Sequence, residues 1–297
     1  MLASTLNGLN NCHVGLEAVT TIFPESSFFK ERRAHALPSP ADIRAINEGS
    51  GNASVTSFNC PPPVVIPWLG LVVKYGADVT IVEAQTQMMV REQLQNRVPV
   101  PEVFGWAEDA NQIFLYMQFI EGETLMARWG SLDEDERRAI CEELRGYLKM
   151  IRSLEQDLYI GSLGNRPLND IFLKNHPDLV GPFLGKNAVE QFHSSCGIEI
   201  SCKTHVVFTH NDLLPPNIII SPGRSPKVAA IVDWAQAGWY PAYWEYCKAR
   251  WVRVNPTHFN DAFQEDWRVK YLPMILDPVD DETYYHPWLY FVLSKGI

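Results

Sequence analysis

Positive charge is scarce in this 297-residue chain: 25 Lys and Arg stand against 35 Asp and Glu, a formal net charge of −10. Nucleic acids and anionic membranes are bound through clustered Lys and Arg, so neither is expected as a partner. Long apolar runs are also missing, since no stretch approaches the roughly 20 residues of a membrane-spanning helix. The opening MLASTLNGLNNCHVG lacks the basic and apolar parts of a signal peptide, and the protein is expected to be cytoplasmic. The six cysteines (Cys12, Cys60, Cys141, Cys196, Cys202, Cys247) have no framework spacing, which excludes a disulfide-built scaffold and fits free thiols. His193-x-x-Cys196 and Cys202-x-x-His205 form a mirrored set of zinc-type ligands. The short loop between them, leading straight into a strand, favours buried thiols and loop histidines instead. No repeat, heptad run or low-complexity tract is present. What remains, 46% hydrophobic and 20% charged, is ordinary for a globular protein. The length exceeds one typical core and suits two lobes with a cleft between them.

The most informative stretch is VVFTHNDLLPPNIIISPGRSPKVAAIVDW, residues 206–234. Val206 to Phe208 reads as a buried strand that delivers His210, Asn211 and Asp212 onto a loop stiffened by Pro215 and Pro216. Ile218 to Ile220 and Val228 to Val232 read as two strands joined by a turn rich in proline and glycine, hence an antiparallel hairpin. A turn centred near Ser225 sets Asn217 across from Asp233, two oxygen-bearing side chains that can reach one ion. Magnesium takes few protein oxygens and leaves its other positions to water and nucleotide phosphates, so one carboxylate and one amide suit it. Asp212 is then free to orient an acceptor hydroxyl and take its proton as a phosphoryl group leaves ATP. A lone Asp–Asn pair beside proline more often caps a turn. Three such residues, each next to an apolar strand, favour the ion site.

The string His210-Asn211-Asp212-Leu213-Leu214-Pro215-Pro216-Asn217, with Ile231-Val232-Asp233-Trp234 and Ala237-Gly238-Trp239-Tyr240-Pro241, resembles the aminoglycoside phosphotransferase and choline kinase superfamily, nearest to its fungal branch. The spacing His-x-Asp-x-x-x-x-Asn is shared with protein kinases; the proline after Leu214 and the Asp-Trp pair make the resemblance more specific. The resemblance implies Asp212 as catalytic base, Asn217 and Asp233 as magnesium ligands, and His210 as a support for the loop without a chemical step. It also implies an α+β, two-lobed, protein-kinase-like fold with an antiparallel sheet in a small N-terminal lobe and a larger, mostly helical C-terminal lobe. The expected divisions are a helical N-terminal extension over 1–45, a nucleotide-binding lobe over 46–117, a hinge over 118–122 and a C-lobe over 123–297.

The upstream half supplies the remaining parts. Leu69 to Gly76 reads as a strand whose alternation puts Val72 and Lys74 on one face. Lys74 is a candidate for the ATP α- and β-phosphates, although a lysine at a strand end is more often simply solvated. Val79 to Gln95 reads as a helix whose Glu83 can pair with Lys74, as the corresponding lysine and glutamate do in kinases. Glu48-Gly49-Ser50-Gly51-Asn52 is the nearest approach to a phosphate loop, yet it departs from three spaced glycines and reads equally as a turn. Val98 to Val103 reads as a linker or edge segment, and Gln112 to Glu121 as a buried strand. In the implied layout this strand leads into the hinge, where Met117 to Ile120, Met117 and Phe119 among them, offer backbone groups to adenine. Asp133 with Glu136 marks the start of a long helix that ends near Leu154.

Gly238 to Trp251 is dense in aromatics and could wall an acceptor pocket by cation–π contact. The helical spacing of Tyr243, Trp244 and Trp251 favours core packing, with Glu245 holding a loop by hydrogen bonds. The sequence thus points to Mg2+- and ATP-dependent transfer to a hydroxyl of a small molecule. A catalytically silent, nucleotide-binding scaffold is the alternative. A protein kinase is disfavoured, because Asp233-Trp234-Ala235 stands where Asp-Phe-Gly is required.

Overall fold

In a computed structural model the described residues are 19–155, 158–200 and 202–295. The small lobe is built on a five-stranded antiparallel sheet of β1 (Val19–Ile22), β2 (Val64–Ile66), β3 (Leu71–Gly76), β4 (Val103–Asp109) and β5 (Gln112–Gln118), in the order β1-β4-β5-β3-β2. Helices α1 (Ser27–Lys30), α2 (Pro40–Glu48) and α3 (Ile81–Gln93) accompany it. Strand alternation does the sorting. Leu71, Val73 and Tyr75 of β3 turn into a core with Phe28, Ile43, Phe104 and Phe114, while Val72 and Lys74 point to the opposite face.

Two sequence expectations change here. Residues 1–18 lie outside the described residues; 19–45 hold α1 and the start of α2, but they begin with a strand and pack into the small lobe instead of extending from it. Val19–Ile22 pairs with β4 as an edge strand, and Phe28 of α1 is fully buried in the small-lobe core. The segment expected as a linker up to Val103 opens into β4, which the prolines before it hid. Gly105 lets β1 lie against β4, because a side-chain carbon there would overlap the Thr21 carbonyl oxygen.

The sheet ends at Gln118, and residues 119–122 carry the chain to β6 (Glu123–Thr124), which pairs with β10 of the larger lobe. That lobe comprises α4 (Leu125–Arg128), α5 (Glu134–Arg152), β7 (Tyr159–Ile160), β8 (Phe183–Leu184), α6 (Ala188–Cys196), β9 (Val206–Thr209), β10 (Ile218–Ile220), β11 (Val228–Ile231), β12 (Gly238–Pro241), α7 (Trp244–Trp251), α8 (Asp261–Asp266), α9 (Leu272–Ile275) and α10 (His286–Ser294). Helix α5 begins where its cap predicts. The Asp133 side chain accepts from the Glu136 N–H, and the Glu136 side chain accepts from the Asp133 N–H. Ile140, Cys141, Leu144, Leu148 and Ile151, at helical spacing, bury one face of α5 against the core beneath β9 to β11. Tyr243, Trp244 and, partly, Trp251 pack into a second cluster with Phe192, Trp288 and Phe291. The aromatic-rich segment is therefore core.

Candidate active site

The site grows from four short elements. β9 runs antiparallel to β12, with Phe208 opposite Trp239, and ends at Thr209 under a loop that carries His210 to Asp212. Asn211 stands at φ 62 and Asp233 at φ 64, left-handed conformations that Asn and Asp tolerate better than other side chains. The Asn211 N–H donates to Glu245 Oε1 at 2.9 Å, and Glu245 also accepts from Arg152 at 3.2 Å. Glu245 thus holds the loop by hydrogen bonds. His210 is fully buried; its Nδ1 accepts from the Asp212 N–H at 3.2 Å, so Nε2 bears the proton and donates to the Val232 carbonyl at 3.0 Å. This histidine ties the loop to Val232, the residue after β11, and keeps both nitrogens occupied.

The hairpin differs from the expected register by one residue. Ile218 pairs with Ile231 and Ile219 with Ala230, but Ile220 pairs with Val228, a bulge that absorbs one residue of β11. Asn217 consequently faces Val232, whose N–H donates to its carbonyl at 2.9 Å, and Asp233 lies one position beyond. The two side chains still line one cavity.

That cavity, about 440 Å³, is formed between the lobes. Pro63, Val65, Val72 and Met117 contribute apolar wall from the small lobe, Ile219 closes it from below, and Lys74, Glu83, Asn217 and Asp233 are among its polar groups. Lys74 Nζ lies 2.7 Å from Glu83 Oε1 and 2.8 Å from Asp233 Oδ1, so one ammonium joins the small-lobe helix to the large-lobe loop. Glu83 sits in the first turn of α3, where Thr80 caps it and the helix dipole favours a carboxylate. Burial alone would depress the Lys74 ammonium, but Glu83 and Asp233 outweigh it and hold its pKa above the ordinary lysine value. Burial pushes the Glu83 carboxyl up to about 7 against the attraction of Lys74, consistent with its second oxygen being buried and unpartnered. For Asp233 burial is overcome by Lys74, and its pKa lies below the usual carboxylate value.

Asp212 sits beside the metal-type pair. Asn217 Nδ2 donates to the Asp212 backbone oxygen at 2.8 Å and to its Oδ2 at 3.0 Å. Those two bonds consume the amide's donors towards Asp212 and leave its carbonyl oxygen as the free acceptor. Burial raises the Asp212 pKa, with Lys248 pulling the other way. A single amide oxygen together with the Asp233 carboxylate is a hard, two-oxygen donor set that leaves most positions to water and phosphate, which fits magnesium.

Other expectations fall less simply. Met117 pairs with Val72 and reaches the cavity wall. Phe119 lines the same cavity, but its N–H already donates to the Gly70 carbonyl at 2.9 Å, so it has no amide to offer a ligand. The Glu48–Asn52 segment is a helix cap and a turn: Gly49 caps α2, Asn52 accepts from the Ser54 N–H, and neither lines the cavity. His193 Nε2 is paired with the Tyr243 hydroxyl at 2.9 Å. Gln87, Thr124 and Pro216 also line the cavity and were not anticipated, because their chain positions carry no signal of a shared wall. Asp170 and Lys248, buried behind the loop, were missed as well. A signal existed for Lys248: it lies four residues after Trp244 and so shares that residue's face of α7.

A small antiparallel lobe above a helical lobe, with a cavity between them walled by lysine, asparagine and aspartate, is the architecture of the kinase-like phosphotransferases. The chain belongs to the phosphotransferase enzyme family, APH, whose model matches residues 71–276. Among solved structures, the aminoglycoside phosphotransferase APH(3'')-Id from Streptomyces rimosus is similar in fold, with a TM-score of 0.50 at 15% identity over 87% of this chain and 98% of that one. An aminoglycoside-3'-phosphotransferase of type VIII matches at TM-score 0.47 and 15% identity, over 76% of this chain and 85% of that one. A thermostable mutant of aminoglycoside phosphotransferase APH(4)-Ia, in ternary complex with AMP-PNP and hygromycin B, matches at TM-score 0.47 and 16% identity over 76% of each chain. No curated protein sequence matches this chain significantly.

Proposed function

We propose that this protein transfers the γ-phosphoryl group of ATP to a hydroxyl of a small molecule. The observation that carries the reading is the meeting of Lys74, Asn217 and Asp233 on one cavity, with Asp212 hydrogen-bonded to Asn217 at its edge. The apolar wall of Val72, Met117 and Ile219 takes the adenine ring, and the backbone beyond Gln118 meets its polar edge. With the Phe119 amide spent, the Ile120 N–H is the donor in this stretch. Lys74, kept cationic by its two carboxylates, binds the phosphate oxygens, and Glu83 aims it from α3. Magnesium, held by Asn217 and Asp233, supplies charge neutralisation of the phosphates when bound. Asp212 orients the acceptor hydroxyl and takes its proton as the bond to phosphorus forms and the bond to the ADP oxygen breaks.

Among the described residues no helix is long and apolar enough to cross a membrane, and we place the protein in the cytoplasm with ATP and a hydroxylated small molecule as its partners. A second reading, a silent nucleotide-binding protein, is favoured by one observation: among the described residues no glycine-rich loop lines the cavity. The two part in one experiment. Purified protein with Mg-ATP is screened against pooled amino-alcohols, aminoglycosides, sugars and hydroxylated secondary metabolites, with Asp212→Ala as control. Turnover that falls by about a thousandfold or more in Asp212→Ala supports the transferase. Mg-ATP binding without turnover of any acceptor supports the silent reading.

A further inference from the structure

Behind the loop that carries Asp212 lies an ion pair that does not touch the cavity. Asp170 is 0% exposed and Lys248 2% exposed, with Oδ2 and Nζ 3.0 Å apart. Burying two charges costs about as much as their attraction returns, so such a pair is a weak device for stability alone. Its other hydrogen bonds indicate what else it does. Asp170 Oδ2 accepts from Asn211 Nδ2 at 2.7 Å and Trp244 Nε1 at 2.9 Å, and Oδ1 accepts from the Phe172 N–H at 2.8 Å. Lys248 Nζ also donates to Gln236 Oε1 at 2.6 Å, and that oxygen accepts from the Ile171 N–H at 3.0 Å. On one side the pair grips the residue before Asp212, which stands in a left-handed conformation. On the other it grips a residue three positions after Asp233. The Asn211 side chain closes the circuit by donating to the Gln236 carbonyl at 3.3 Å.

We infer that Asp170 and Lys248 are positioning residues: their buried pair clamps the 210–212 loop to the 233–236 segment, so that Asp212 and Asp233 are presented as one unit. The inference rests on the phosphotransferase reading for its kinetic consequence, and on geometry alone for the clamp. Neither side chain touches the cavity, so the effect falls on turnover and not on nucleotide binding.

Three variants test it: Asp170→Asn, Lys248→Met and the double Asp170→Asn/Lys248→Met. Each single change strands a buried partner and lowers the melting temperature. The double removes both charges and recovers the part of the loss that comes from the unpaired charge, while the new amide still faces the donors that the two Asp170 oxygens accepted from. A purely structural pair would recover turnover at the same time. The clamp predicts otherwise: hydrolysis of saturating Mg-ATP by water stays about tenfold or more below wild type in the double variant, with KM for Mg-ATP within about threefold. Hydrogen exchange of the folded apoproteins, well below their melting temperatures, adds a readout independent of catalysis. Amides over 209–213 and 234–237 should exchange about tenfold faster than in wild type, while α5 is unchanged. A double variant that regains wild-type turnover with its stability, or exchange rates over 209–213 equal to wild type, overturns the inference. Wild-type protein that neither binds nor turns over Mg-ATP sinks the phosphotransferase reading instead, and the exchange result still decides the clamp.

Discussion

Replacing Lys74 with methionine removes the ammonium shared by Glu83 and Asp233 and nearly preserves side-chain volume. The cost depends on pH in a way the structure fixes. Glu83 is 2% exposed, and its carboxyl is pushed up to about 7 by burial. At pH 6 it is protonated with or without Lys74, so the variant forfeits hydrogen bonds to charged groups, about 1.5–3 kcal/mol each. Above pH 7 the wild type ionises Glu83 beside Lys74, and the dependence of its stability on this group levels off. Without Lys74 the folded-state pKa rises further, while the unfolded value stays near 4.5. The folded variant then binds a proton that the unfolded chain does not, and its stability keeps falling by about 1.4 kcal/mol per pH unit. One unit separates pH 8 from pH 7, so the deficit of Lys74→Met should be about 1.4 kcal/mol larger at pH 8 than at pH 6. Lys74 itself titrates above this window, its pKa being raised, and adds a constant. Urea unfolding of both proteins at pH 6, 7 and 8 measures the difference, and adding Glu83→Gln should flatten it. A deficit that is equal at all three pH values, or that shrinks towards pH 8, would refute the burial account of Glu83.

Two further changes test the frame around the site. Gly122, at φ 152, packs so closely on β10 that a side-chain carbon would overlap the Ile220 carbonyl oxygen; Gly122→Ala should cost about 1–3 kcal/mol and weaken Mg-ATP binding, read by thermal shift. Asp133→Ala removes half of the α5 capping box and should cost about 1 kcal/mol in urea unfolding without altering Mg-ATP affinity.

How much of this was legible depended on whether the determinant was local. The α5 start could be read because cap and partner lie three residues apart. The β3 alternation could be read because one face is core and the other lines the cavity, and it set Val72 and Lys74 together on the second of these. The Lys74–Glu83 contact also spans one strand and one helical turn. By contrast, β1 is four residues with little burial, and its identity as a strand depends on β4, more than eighty residues away. The one-residue error in the β10–β11 register came from a turn centred on Arg224, not Ser225, and the bulge between Ile219 and Ile220 recovers only half of that shift. Asp170 reads as an isolated acid in PLNDIF, since its partners arrive from Asn211, Trp244 and Lys248 only after folding. Position in sequence therefore revealed the residues that face the cavity better than those that hold them in place.

The most direct measurement of the central claim is the thermal stabilisation of wild type and Asp233→Ala by ATP, each with magnesium and with EDTA. If Asn217 and Asp233 hold the ion that brings the phosphates to Lys74, magnesium enlarges the ATP-induced shift in wild type and makes no difference in Asp233→Ala. A magnesium-dependent increment of equal size in both proteins would contradict it and put the metal elsewhere.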